Sequence, residues 1–397
     1  MAGIIFNIQK SAENSVFNIL QEPFKMFLTQ EVEAFEKNSI IDKVYLVENM
    51  DTFQEEYRSS TAMDGFKPTE DMEVAGISDF EESYSAIFRV QTWTNSFVIS
   101  KQTIEDNQTA QLNPQALGFV KGYGRTKERY AVAMLGAALG TVTEFEGKPV
   151  VGKSYDTTDG TLNGTKQQYF HGAHKPAGYS SASGNPRHFT QANRFYALEN
   201  DGSTELDFSG EDKEISEKVL DILGQVEAIM SKYKDDKGNI TPVNPVRIIM
   251  GADYRLQDVL IRGLKSRYGS QMAGNGINTQ YGKWEIVTSP YLSAVSGFTD
   301  ADHSVILLDP ERNREGKGAV WKNRLPLTIR SYVDDRTEAN VWAGRARFGV
   351  NFADWKPMAY VRFAKNGTSG TVAGYDGNSA FLVKAPKTSV YLTKTAS

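Results

Sequence analysis

Residues Gly147-Lys-Pro-Val-Val-Gly152-Lys153-Ser154 have the spacing G-x-x-x-x-G-K-[ST], the pattern of a loop that cradles nucleotide phosphates. Val305-Ile-Leu-Leu-Asp309 adds four apolar residues and an aspartate, as a magnesium-binding strand would. The chemistry would be nucleotide hydrolysis, with ATP or GTP binding lost in Lys153→Ala. Such a loop works only if its Lys and Ser open a helix whose free N–H groups face the phosphates. Here Ser154 is followed by Tyr-Asp-Thr-Thr-Asp-Gly-Thr-Leu-Asn-Gly, a run with no helical pattern. Pro149 removes one donor, and Val150 and Val151 resist the positive φ of an anion nest. The stretch is expected to be a β-turn on a domain surface.

Other candidates are weaker. His171 and His174 form an H-x-x-H pair, but in a glycine-rich segment without helical periodicity or neighbouring carboxylates. They read as loop histidines rather than metal ligands. Asp156-Thr-Thr-Asp-Gly160 lacks the alternating oxygens and closing Glu of a calcium loop. Gly122-Tyr-Gly124 lacks the third glycine and preceding strand of a dinucleotide fingerprint. Glu105-Asp106 reads as a polar lead-in to a helix. No G-x-S-x-G or H-E-x-x-H occurs, and there is no cysteine. Disulfides, thiolate metal sites and cysteine nucleophiles are thereby excluded. No cofactor, no metal and no catalytic constellation are expected.

The elements carry more information than the motifs. A chain of 397 residues has room for about two or three globular units. A net charge of −5, with 23% charged and 40% hydrophobic residues, fits a folded protein and not a cationic nucleic-acid binder. No apolar run is long enough to cross a bilayer as a helix, and the N-terminus lacks the build of a signal peptide.

Phe24, Phe27, Leu28, Val32 and Phe35 predict a helix from Pro23 to Lys37. Residues 51–99 read as a long two-stranded hairpin: its first part is acidic and polar, and its later part alternates. Such a hairpin needs something to lie against. Asn113-Pro114 predicts the start of a long helix ending at Gly140. Gly118, Gly122 and Gly124 within it predict close packing or a bend. Asp156 to Pro186 holds five glycines and seven Ser/Thr residues and reads as loop. Helices are expected at 211–233, with Ser209 and Asp212 as a capping box, and at 253–264. Strands are expected at 246–250, 305–308, 325–332, 339–350 and 358–363. The Gly/Ser/Thr-rich end, 366–397, reads as an extension with some strand character.

This order resembles the major capsid proteins of tailed bacteriophages with the Hong Kong 97-like fold, and especially the major head subunits of Mu-like phages. Four stretches carry the resemblance. Phe97-Val-Ile-Ser-Lys-Gln-Thr-Ile-Glu-Asp106 is similar to the end of the family's extended loop. Asn113 to Gly140 is similar to its spine helix. The helix pair joined through Pro242-Val-Asn-Pro-Val-Arg-Ile-Ile-Met250 is similar to the axial domain. Ser304 to Pro310, Leu325 to Arg330 and Val341 to Trp355 are similar to the C-terminal strands.

The resemblance implies an α+β fold with an N-terminal arm (1–50) and an extended loop (51–99). A peripheral domain (100–145 and 303–365) would hold the spine helix (113–140). An axial domain (146–302) and a C-terminal extension (366–397) would complete it. It implies a non-enzymatic subunit forming pentamers and hexamers of an icosahedral or prolate head around double-stranded DNA. The head would be assembled in the host bacterial cytoplasm and found in the virion. Portal and scaffolding proteins, and in some members decoration proteins, would be partners; no membrane is involved. An encapsulin-like nanocompartment shell is the alternative within the fold. Lys67, at the hairpin tip, is the candidate for a cross-linking lysine, although no matching Asn with a supporting Glu is evident. Trp93, Trp342 and Trp355 are candidate interface anchors, with core packing as the competing role. Lys121, Arg125, Lys127 and Arg129 on the spine would face the lumen or solvent.

Overall fold

A computed structural model describes residues 5–8, 29–60, 63, 82–100, 102, 112–150, 153–157, 166–176, 179, 181–185, 187–199, 205–208, 214–265, 278, 280–295, 298, 301–363 and 381–384. The strands, in chain order, are β1 (Ile5–Ile8), β2 (Leu46–Asn49), β3 (Gln54–Ser60), β4 (Glu82–Arg89), β5 (Gln91–Ile99), β6 (Glu144–Phe145), β7 (Lys148–Pro149), β8 (Lys153–Thr157) and β9 (Lys166–Gln168). They continue with β10 (Arg194–Leu198), β11 (Arg247–Met250), β12 (Glu285–Thr288), β13 (Ser304–Leu308), β14 (Ala319–Val333), β15 (Asn340–Phe352), β16 (Met358–Arg362) and β17 (Phe381–Lys384). The longer helices are 29–38, Leu112–Ala138, Glu214–Met230 and Tyr254–Lys265. The architecture is mixed α/β with several separate sheets, as expected.

The chain divides into two compact units. The first takes the described residues within Met1–Glu55, Ile87–Val132 and Val320–Asn351. Its sheet has the order β1-β14-β15-β5, and β2 also pairs with β14. Both β1 and β2 run parallel to β14, at Thr328–Ser331 and Val320–Asn323 respectively. Ala116, Phe119 and Val120 of the long helix pack with Leu327, Ile329, Trp342, Ile99 and Val32. A helix with one apolar stripe and a half-apolar sheet can each bury that face only against such a partner.

Gly124 shows why glycine stands in this helix. A Cβ there would lie 2.6 Å from the ring of Phe35, so helix 29–38 seats its aromatic directly on the backbone. Gly118 and Gly122 have open space instead, and close packing does not explain them. The helix begins at Leu112, which puts Asn113 inside it rather than at its cap. Pro114 then falls in the first turn, where no donor is lost. Gly140, at φ 77°, ends it, with Gly140 N–H donating to Ala137 O at 2.9 Å.

The second unit takes the described residues within Glu56–Ala86, Ala133–Ala319 and Phe352–Ser397. Its six-stranded sheet has the order β12-β11-β13-β16-β10-β17. Strand β13 is buried along its whole length, as expected of a central strand. Helices Glu214–Met230 and Tyr254–Lys265 meet where Gly263 leaves room for Leu220: a Cβ at 263 would stand 2.9 Å from its side chain.

Two expectations change. β5 was expected to belong to the hairpin, but it pairs with β15 over nine residues, Gln91↔Phe348 through Ile99↔Asn340. The ribbon itself is β3 with β4. β13 and β16 were grouped with the long helix, yet β13 pairs with β11, and β16 pairs with β13 and β10. Apolar runs announce strands but not their partners. In the C-terminal extension, β17 adds in parallel to β10 as an edge of the same sheet. The expected helix start at Pro23 and the capping box at Ser209 and Asp212 lie outside the described residues.

Candidate functional site

The phosphate-loop stretch folds in a way that excludes the cradle. β6 and β7 pair antiparallel around Glu146 and Gly147, whose φ values are 48° and 71°. Two successive positive φ values make the tight turn of a two-residue hairpin. Lys153 and Ser154 then enter strand β8, not a helix. Asp309 is engaged elsewhere. Its Oδ1 accepts from the N–H groups of Glu311 and Arg312, both at 3.0 Å, and caps helix Pro310–Gly316. Its Oδ2 accepts from Asn244 N–H at 2.8 Å. The nucleotide alternative is thereby overturned.

The histidine pair is structural. His174 is 1% exposed and stacks on Trp355 at 4.1 Å and 2°. Its Nε2 lies 3.0 Å from Asn193 Oδ1. Asn193, fully buried, also receives His171 N–H on Oδ1 and donates from Nδ2 to the carbonyls of Tyr169, Trp355 and Met358. One amide thus ties two stretches of the second unit, 169–174 and 355–358, to its own strand-leading segment. Nothing in the sequence pattern announced this knot. Among the described residues, no group of three or more His, Asp or Glu could hold a metal ion. Among them too, no helix is long and apolar enough to cross a membrane.

The tryptophans expected at interfaces are packed within the chain. Trp342 is 2% exposed and stacks on Phe97 at 6.2 Å. Trp355 is held between His174 and Tyr233. Trp93 is half-buried; it stacks on Phe348 at 5.1 Å and 10° and meets Tyr130 at 5.1 Å. Lys67 lies outside the described residues. Lys127, expected on an outer face of the spine, is instead buried and paired with Glu36 at 3.4 Å. Lys121 and Arg125 are exposed as expected.

The feature most suited to meeting another chain is β5. It ends the path of its sheet, with no further strand beside it among the described residues. It carries no charge and no proline over Gln-Thr-Trp-Thr-Asn-Ser-Phe-Val-Ile. Thr92, Thr94, Ser96 and Val98 are exposed, Val98 by 53%. Long uncharged edges offer their backbone groups to another strand unless something covers them. Behind β5 lies a cavity of about 80 Å³, lined by Trp93, Phe119, Tyr123, Gly344 and Phe348 among others. Burial, and secondarily the carboxylate of Glu36, pushes the Tyr123 hydroxyl well above the usual phenol range.

A further buried group gives a measurable signature. Glu128 is 4% exposed and accepts from Ser39 Oγ at 2.6 Å and Ile40 N–H at 3.1 Å. Burial raises its carboxyl above the ordinary value of 4.5, although those hydrogen bonds and Lys127 pull the other way. A raised folded-state pKa favours the native protein while the group is protonated, and this contribution is lost as pH rises from about 4.5 through the folded-state value. Glu128→Gln keeps both acceptor contacts without the charge. Its melting temperature should gain on the parent's as pH rises across that window. A constant difference between the two from pH 4 to 7 would contradict this.

No protein-family model matches the chain, and no curated protein matches it. Solved structures do. The capsid of the cyanophage P-SCSP1u is similar at 10% identity, covering 83% of this chain and 89% of that one, with a TM-score of 0.46. The mature capsid of bacteriophage PhiM1 is similar at 12% identity, covering 84% and 87%, with a TM-score of 0.43. A virus-like particle from Pyrococcus furiosus is similar at 9% identity, covering 86% and 100%, with a TM-score of 0.41.

Proposed function

We propose that this chain is a shell-forming major capsid protein of the Hong Kong 97-like type, with a structural and not a catalytic role. The observation that supports it best is the build of the first unit: a long helix laid on a sheet of very long strands, which ends on an uncharged edge. That is the order of elements the resemblance implies, a spine on its peripheral sheet, and a free edge suits a subunit completed by its neighbours. The second unit would then correspond to the axial domain, and the β3–β4 ribbon to the base of the extended loop. Head-to-tail contacts of one surface with a different surface close into rings, here pentamers and hexamers. The shell would enclose double-stranded DNA, held by confinement, so a net acidic chain poses no difficulty. Portal, scaffolding and decoration proteins are the proposed partners, and the virion is the proposed location. A likeness to Mu-like head subunits in particular belongs to this same proposal.

The full chain, expressed alone, should form rings of five and six or closed shells in negative-stain electron microscopy, with matching sedimentation. A species that stays monomeric at high concentration, with and without a crowding agent, would count against the proposal. Lumen contents distinguish the nanocompartment alternative: nucleic acid for a phage head, protein for an enzyme container.

A further inference from the structure

The face of β15 that meets the long helix is not filled along its whole length. Side chains alternate along a strand, so Gly344, Ala346 and Phe348 share that face. Their partners across the ladder on β5 are Asn95, Trp93 and Gln91. Gly344 admits Phe119 of the helix: a Cβ there would meet that ring at 2.4 Å. One turn further along the helix, Gly122 has no side chain to offer, and a Cβ there would have no atom within 4 Å. Beside these small residues lies the cavity of about 80 Å³. Its aromatic walls are Trp93, Phe119, Tyr123 and Phe348, with Trp93 and Phe348 stacked at 5.1 Å.

Native interiors are packed without such space. Glycine is also a poorer helix former than alanine. An alanine at 122 would improve the helix and meet no neighbour, yet glycine stands there and leaves the hollow open. None of the described residues lining it is charged. Thr94 and Asn95, at its rim, are exposed, so the space opens to solvent. Two polar side chains of the lining have their roles partly fixed. Thr126 Oγ1 donates to Gly122 O at 3.0 Å and keeps only acceptor capacity. Asn95 Oδ1 accepts from Ser96 N–H at 2.9 Å, which leaves the amide nitrogen as a donor.

We infer that this cavity binds a small uncharged aromatic molecule carrying one hydroxyl group, of the phenol class. The inference goes beyond the shell-subunit reading and does not depend on it. Aromatic walls hold a flat ring through offset and edge-to-face contacts. A closed cavity of about 150 Å³ takes up benzene; the smaller space here, open on one side, seats a ring edge-first and leaves its substituent at the rim. A hydroxyl group there serves both polar side chains, donating to Thr126 and accepting from Asn95. Aromatic walls also suit cations in general, but Lys127 Nζ already stands 5.5 Å from the centre of the Tyr123 ring and repels a second positive charge. A carboxylate would lose its hydration against uncharged walls. Gly122 and Gly124 read alike in the sequence; Gly124 seats Phe35, whereas Gly122 faces open space.

The test titrates the full chain with p-cresol, followed by ligand-observed NMR. Binding should be saturable, with a dissociation constant of about 1 mM or below. Benzoate and benzylammonium, which add a charge to the ring, should bind about tenfold more weakly. Gly122→Leu puts a side chain into the cavity and should weaken p-cresol binding about tenfold or more. Lys121→Leu, at an exposed neighbour outside the lining, should leave it unchanged. Melting curves check the fold. Should leucine unfold the unit, Gly122→Ala and Thr126→Val keep the inference testable, each weakening binding about threefold. No binding by the parent, as when the chain's own residues fill the space, overturns the inference. So does binding that Gly122→Leu leaves unchanged, which would put the site elsewhere. Equal binding of the charged rings overturns it too, since that is adsorption without a built site.

Discussion

Trp321→Ala should lower the unfolding free energy by about 3–5 kcal/mol, the usual cost of truncating a fully buried large aromatic. Trp321 has no exposed surface. It stacks on Phe348 at 5.0 Å and 21° and meets Tyr130 and Tyr45 at 6.0 and 6.2 Å. Its indole N–H donates to Asn323 Oδ1 at 2.8 Å, and Lys127 Nζ stands 5.7 Å from its ring. Alanine would leave a cavity bounded by rigid rings and a strand fixed on both sides, so little can collapse into it. Urea unfolding followed by circular dichroism measures the loss. Phe53→Ala, at a side chain 55% exposed, is the control and should change stability by less than about 0.5 kcal/mol. A loss below about 1 kcal/mol at Trp321 would mean that this cluster does not hold the first unit together.

Asn193→Asp should be comparably damaging with almost no change in shape. The amide nitrogen faces three carbonyl oxygens, at 2.9, 3.1 and 3.2 Å. A carboxylate puts an acceptor where donors are required, in a site with no access to water. Each buried polar group left unpaired costs about 1–3 kcal/mol, so a total above about 3 kcal/mol is expected at neutral pH. The pH dependence carries the sign. The buried aspartate's pKa rises in the folded state, so the variant recovers part of its stability when acidified, because the protonated carboxyl can again donate one hydrogen bond. Asn193→Ala loses the same bonds without acquiring a charge, and lacks that acid recovery. Equal pH profiles for the two variants would show that the site does not repel the charge.

Helices, strands and the misfit of the phosphate-loop motif were legible in the sequence because they depend on local order. The run of apolar positions from Ala116 to Ala138 announces a helix wherever it packs. Gly140 announces its end through a backbone angle that other residues avoid. The misfit of Gly147–Ser154 to a phosphate cradle followed from the residues after Ser154, which build strand β8 and not a helix. Only the tertiary structure decided which strands share a sheet. β13 carries the same apolar signal whether it pairs with β14 or with β11, because periodicity records burial and not the neighbour. The same holds for charge. Lys127 and Lys322 read alike, each simply as a basic residue. Lys127 meets Glu36, and Lys322 meets Glu48 and Glu55, because pairing depends on which distant segments the fold brings within a few ångströms.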